Sequence, residues 1–162
     1  MRSLIHIKLW AVAVLLCCAF TCFVACGERP VAYDFCSTSV EGWEPGDTLK
    51  FHVDTLDASG VYNLSIGVRT SSSTPYPYQT LWMVVRQQWH HPDQVMLDTI
   101  KMQLTNEFGD PQGHGVTLYQ FDLPWRMQHL QAGQWADISI YHIMRREMLP
   151  GISNVGIRLQ PQ

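Results

Sequence analysis

The chain has 162 residues, with 11 Lys and Arg against 14 Asp and Glu, for a formal net charge of −3. That length holds one domain with a real core rather than two. Its charges are scattered and no Lys/Arg run is present to track phosphates, so composition argues against a nucleic-acid partner.

The N-terminus comes first. Met1 to Lys8 carries Arg2 and Lys8 and no acid, and from Leu9 to Ala25 every residue but Thr21 is apolar. A basic start, an apolar run and a small residue at its end make the pattern of an export signal over residues 1–25. The run is short for a permanent span, which takes about 20 apolar residues. The Ala25-Cys26 junction, preceded by Phe23 and Val24, resembles the lipobox of bacterial lipoproteins. That resemblance implies cleavage before Cys26 and acylation of its sulfur. Cys17, Cys18 and Cys22 then serve as apolar filler in a discarded segment. A zinc site would need ligands converging from a polar or loop context, and no second Cys pair follows. Residues 26–31 make a lipidated Cys and tether, and 32–162 a single domain. The tether holds only one acid, Glu28, which favours the periplasmic face of a membrane over the cell surface. Cys36 is the one other mature thiol and reads as a small hydrophobe.

The domain reads as β almost throughout. "TLKFHVD" alternates Leu49, Phe51 and Val53 with Lys50 and His52, the period of a half-buried strand. "VYNLSIGVRT" repeats the pattern with Tyr62, Leu64, Ile66 and Val68 on one face. "YQTLWMVVRQQW" is nearly continuous in apolar residues, as a central strand covered on both faces would be. "VMLDTIKMQLT", "VTLYQFDL", "WADISIYHI" and "NVGIRLQ" follow, separated by turn clusters such as "SSSTPYP", "HHPD" and "NEFGDPQGHG". Met127–Leu130 and Met144–Leu149 are candidates for single helical turns. Seven or eight mostly antiparallel strands predict an all-β fold, an antiparallel β-sandwich of jelly-roll or immunoglobulin-like kind, with a closed β-barrel as the alternative.

Motifs for catalysis are missing: no Gly-x-Ser-x-Gly, His-Glu-x-x-His, phosphate-cradling loop or calcium loop occurs. No cofactor or metal site is expected, and the chain is read as no enzyme. His90-His91-Pro92-Asp93 is the most tempting polar cluster. Adjacent strand residues face opposite ways, however, and Pro-Asp is a common turn pair. A metal-dependent hydrolase would need His90, His91 or His114 to meet acids around one ion. Five tryptophans follow the signal: Trp43, Trp82, Trp89, Trp125 and Trp135. Exposed in line, such rings would stack on sugars and make a carbohydrate-binding module; buried, they fill a core.

Taken in order, Cys26, "YDF", Trp43, "FHVD", "YNLSIGVRTSSSTPYPYQTLWMVV", "LYQFDLPW" and "AGQWADISIYHIMRREMLPGISNVGIRL" resemble the gliding-motility lipoprotein GldH family. Thr80 and the "GDPQGHG" segment depart from the family's pattern. The resemblance implies an envelope lipoprotein associated with the gliding apparatus and its linked protein-export system. It implies no catalytic residues, and its partners would be the membrane, through lipid on Cys26, and other envelope proteins. Beside it stands a physical reading of the signature segment. Pro77 holds Tyr76 in extended space, and Arg69 is placed to bond across that loop or stack on a tyrosine. Arg69, Tyr76, Pro77 and Tyr78 are therefore either a structural corner or an exposed recognition surface.

Overall fold

The computed structural model describes residues 29–162; the signal-like segment and Cys26 lie outside the described residues. Eight strands follow in order: β1 (Ala32–Ser37), β2 (Leu49–Val53), β3 (Gly60–Ser71), β4 (Thr80–His90), β5 (Gln94–Gln103), β6 (Leu118–Leu130), β7 (Trp135–His142) and β8 (Ile152–Pro161). They form two four-stranded sheets, β1-β8-β3-β6 and β2-β7-β4-β5, with every pairing antiparallel. The chain crosses between the sheets at nearly every connection, winding them together as an eight-stranded jelly roll. Both sheets keep free edges, so the closed-barrel alternative is not the fold.

Alternation decides which side of each strand enters the core. Tyr62, Leu64, Ile66 and Val68 of β3 face Leu81, Met83, Val85 and Trp89 of β4 across one cluster of buried side chains. β4 departs from the expected burial on both faces: Trp82 lies on its outer side at 40% exposed, with Arg86 and Gln88 half-buried there. A sandwich gives each sheet one wet face, whatever its strand's apolar content.

Neither proposed helical turn forms. Met127–Leu130 belongs to β6, and residues 144–149 are loop. β6 runs straight through Pro124, which an edge strand tolerates because the missing N–H breaks no ladder. A bulge follows: Leu64 pairs with Arg126 and Ser65 with Pro124, leaving Trp125 as the extra residue. The bulge turns Arg126 inward, where one guanidinium nitrogen donates to both carboxylate oxygens of Asp98 on β5 at 2.8 Å. This bond ties the two sheets together along their open edge.

β1 is the strand that hydrophobic patterning missed. Its aromatics point outward: the Phe35 ring lies flat on the first sheet, over Gly67 of β3 and Gly156 of β8. A Cβ at Gly156 would stand 2.6 Å from that ring and 2.5 Å from the Asp34 carbonyl, so glycine is required there for close approach.

Candidate functional site

The connections sort by length onto the two ends of the sandwich. One end holds the start of β1, the end of β8 and three connections of three to six residues, β2–β3, β4–β5 and β6–β7. The other gathers the four longer loops β1–β2, β3–β4, β5–β6 and β7–β8. A sequence scan sees only turn signals of unequal length; their clustering at one end is a property of the topology.

These four loops are stitched into one platform. Trp43 of the β1–β2 loop exchanges two backbone hydrogen bonds with Leu149 of the β7–β8 loop, at 2.9 and 3.0 Å. Its indole is fully buried, donates to the Asp47 carbonyl at 2.8 Å, and meets His142 edge-on. His142 donates from Nε2 to the Trp43 carbonyl and accepts the Met144 N–H at Nδ1, which fixes a neutral ring. Burial lowers its pKa accordingly, against the opposing pull of the Trp43 bond. The Ser71 N–H donates to the Gly151 carbonyl and the Ser72 N–H to that of Thr117, joining the other loops. Gly151 has φ +85°, and a Cβ there would strike the β3–β4 loop at 2.6 Å.

On this platform stand apolar side chains with nothing over them. Phe108 and Val116 are 81% and 86% exposed; Val40, Leu118, Ile143 and Met148 join them. Surface concavities gather here too. One, of about 210 Å³, lies beneath the loops between Thr70, Tyr76, Leu104, Thr105, Pro111 and Tyr119.

The signature residues part company in space. Tyr76 is buried, its hydroxyl donating to the Thr80 carbonyl at 3.0 Å and its ring meeting Tyr78 edge-on. Burial first, and then Tyr78, pushes the Tyr76 phenol well above its ordinary range. Pro77 is exposed and Tyr78 half-buried. Arg69 bonds neither tyrosine. It points out of the first sheet, donating to Gln120 Oε1 at 3.0 Å with its guanidinium 3.8 Å above the Phe35 ring. Beside it, Arg158 lies over Tyr33 and reaches Asp122 at 3.9 Å. The Tyr33 phenol is lowered, first by a Gln120 hydrogen bond and then by Arg158, against some burial. Arg69 thus belongs with "YDF", 34 positions upstream, a partnership only the β1-β8-β3 order creates.

The histidines are split between the two ends of the sandwich. His90 stacks on Trp135 with centroids 3.7 Å apart and bonds Asp93 at 3.2 Å, at the short-turn end. His52 bonds Asp137 there at 2.9 Å, and His90 Nε2 stands 4.0 Å from the same carboxylate, with both imidazoles against Trp135. His114 sits in the β5–β6 loop at the opposite end. Among the described residues, no three His, Cys, Asp or Glu are grouped to hold a metal ion. The tryptophans divide as well: Trp43 and Trp89 are in the core, Trp125 and Trp135 are half-buried, and Trp82 is exposed. Trp82 and the exposed Tyr33 lie on opposite outer faces, so they form no aligned pair for a sugar chain.

Residues 31–159 match the GldH lipoprotein family. The gliding motility lipoprotein GldH homolog of Christiangramia forsetii is 23% identical over 99% of this chain and 98% of its own length. The gliding motility lipoprotein GldH of Flavobacterium johnsoniae is 25% identical over 91% of this chain and 94% of its own. A cycloalternan-forming enzyme of Listeria monocytogenes overlaps 83% of this chain and 10% of its own, at 14% identity and a TM-score of 0.37, too slight a likeness to bear on function. With relatives aligned nearly end to end and the match running from before β1 into β8, this chain belongs to the GldH lipoprotein family.

Proposed function

We propose that the protein is a non-enzymatic docking component of the bacterial envelope, held to a membrane by lipid on Cys26. Its long-loop platform would be presented to another protein of the gliding or linked export apparatus. The observation that carries this reading is the polarity of the domain. The chain enters at the short-turn end, and the stitched loops with their bare apolar side chains stand at the other. Five residues lie between Cys26 and Ala32, a reach of at most about 20 Å over the six Cα steps. β3, at 12 residues, sets a domain roughly 40 Å long. Anchoring therefore keeps the short turns near the lipid and carries the loops outward. A platform already fixed by backbone bonds loses little freedom on binding, which favours association.

The relatives' names attach them to gliding motility, and the family match supports the same role here. A single acid after Cys26 supports the periplasmic face. The separation of His114 from His90, at opposite ends of the sandwich, supports a role without metal-dependent hydrolysis. Cys26→Ala should move the protein out of the membrane fraction and abolish its envelope role. Retention in membranes with function intact would refute the anchor. A photo-crosslinking residue at Val116 should capture one defined envelope protein in intact cells, while the same residue at Asp57, at the short-turn end, should not. No capture from Val116 would refute the docking role.

A further inference from the structure

We infer that the occupant of the platform is an acidic peptide segment carrying a large apolar side chain, seated in a groove at one corner of the loop end. This inference rests on the docking role above and names the chemistry of the partner.

The groove, about 440 Å³, is formed by Tyr78, Trp82, Ile143, Met144, Arg145 and Arg146. It lies where β4 leaves the β3–β4 loop and β7 runs into the β7–β8 loop. The Ile143 N–H donates to the Trp82 carbonyl at 3.0 Å, which fixes wall to floor. Trp82 is 40% exposed and Ile143 beside it 46%.

Charge decides the partner. Arg145 and Arg146 are exposed at the rim, and Lys101 holds its ammonium 5.7 Å above the Trp82 ring. Among the described residues none of the three lies within ion-pair distance of a carboxylate, although Glu147 follows Arg146 in the chain. Of the nine described Lys and Arg only Arg126 and Arg158 are matched to carboxylates, Asp98 and Asp122, so what sets this corner apart is the gathering of three cations. Three cations to one neighbouring acid, Glu147, around an aromatic floor make a local reversal in a chain of net charge −3. Like charges gathered without counterions repel, and a ligand carboxylate relieves that repulsion while steering its approach.

The lining decides the rest. Trp, Ile and Met side chains offer dispersion contacts, and the hydroxyls of Tyr78 and Thr80 are few beside the dense set of donors and acceptors that sugar hydroxyls need. An aromatic or aliphatic side chain flanked by Asp or Glu satisfies floor and rim together. Aromatic anchors beside Arg are the usual energetic centre of such contacts.

The test is selection from a random 12-residue phage-displayed peptide library on the acylated mature protein in detergent micelles, beside a glycan array. Selected peptides are expected to place an acid within two positions of a large apolar residue and to bind more weakly as salt rises. Trp82→Ala should weaken them about 30-fold and the double variant Arg145→Gln/Arg146→Gln about fivefold. Both arginines are exposed, so the double variant tests the groove without burdening the fold. Peptides lacking acids, or binding unchanged in both variants, would overturn the inference. So would glycan retention abolished by the same changes, which would give the groove to a sugar. If Val116 still crosslinks its envelope partner in the Arg145/Arg146 variant with unchanged yield, the groove assignment fails while the docking role stands.

Discussion

Trp43→Ala is the sharpest test of how the loop platform is held. The indole is 0% exposed, touches His142 with centroids 5.1 Å apart, and donates to the Asp47 carbonyl. Burying a ring of 150–250 Å² at about 25 cal/mol per Å² is worth about 4–6 kcal/mol. Trp→Ala changes in cores cost about 3–5 kcal/mol, so we take about 4 kcal/mol. At ~2.1 cal/mol/K per residue, a domain of about 130 residues would lose roughly 14 °C in Tm. Trp43→Phe keeps the packing plane but loses the hydrogen bond, and should cost roughly half as much. Calorimetry or urea unfolding of the described domain measures both. A loss below about 1 kcal/mol for Trp43→Ala would mean that the site collapses around the gap, and that the two loops are not pinned through this ring.

Three further outcomes follow from other parts of the fold. A double-mutant cycle of Arg126→Met and Asp98→Asn should show about 1 kcal/mol of coupling, reduced because the arginine is 34% exposed; additive losses would deny the edge bond. Gly156→Ala should displace Phe35 and cost about 1–3 kcal/mol, with β1 amides losing hydrogen-exchange protection before those of β3; unchanged protection in β1 would refute the close approach. Stability should fall as pH drops below the unfolded imidazole pKa of about 6.5, because the unfolded chain then binds a proton that buried His142 resists. His142 contributes fully above that pH and loses its contribution as pH falls toward its lowered folded value. Comparing pH 7.5 with pH 5 in the parent and in His142→Gln isolates this contribution, and an identical slope in both would refute it.

The burial pattern of most strands was legible because period-2 alternation is a local property that one buried face imposes. The core residues of β2, β3, β5 and β7 follow from it directly. β1 escaped because its aromatics cover the outside of a sheet, resting on glycines contributed by strands far away in sequence. The second half of β6 escaped because a bulge reverses its alternation, so an inward Arg126 and Gln128 mimic a polar turn. Arg69 and Tyr76 stood out together in sequence, yet a strand's successive side chains go to opposite faces. Arg69 takes an outward position of β3 and joined Phe35 outside the sheet, whereas Tyr76 lies in the β3–β4 loop, which folds it over the end of the core.

By itself the sequence determined the all-β class and the family, and it raised the expectation of an export signal ending at Cys26, since each is written in contiguous residues. Only the tertiary structure decided that the fold is a jelly roll, because strand order is set by long-range pairing. The same winding put the long loops at the end away from the start of β1 and gathered Trp82, Lys101, Arg145 and Arg146 from three separate segments at one corner. That corner owes its charge to residues with no local reason to meet.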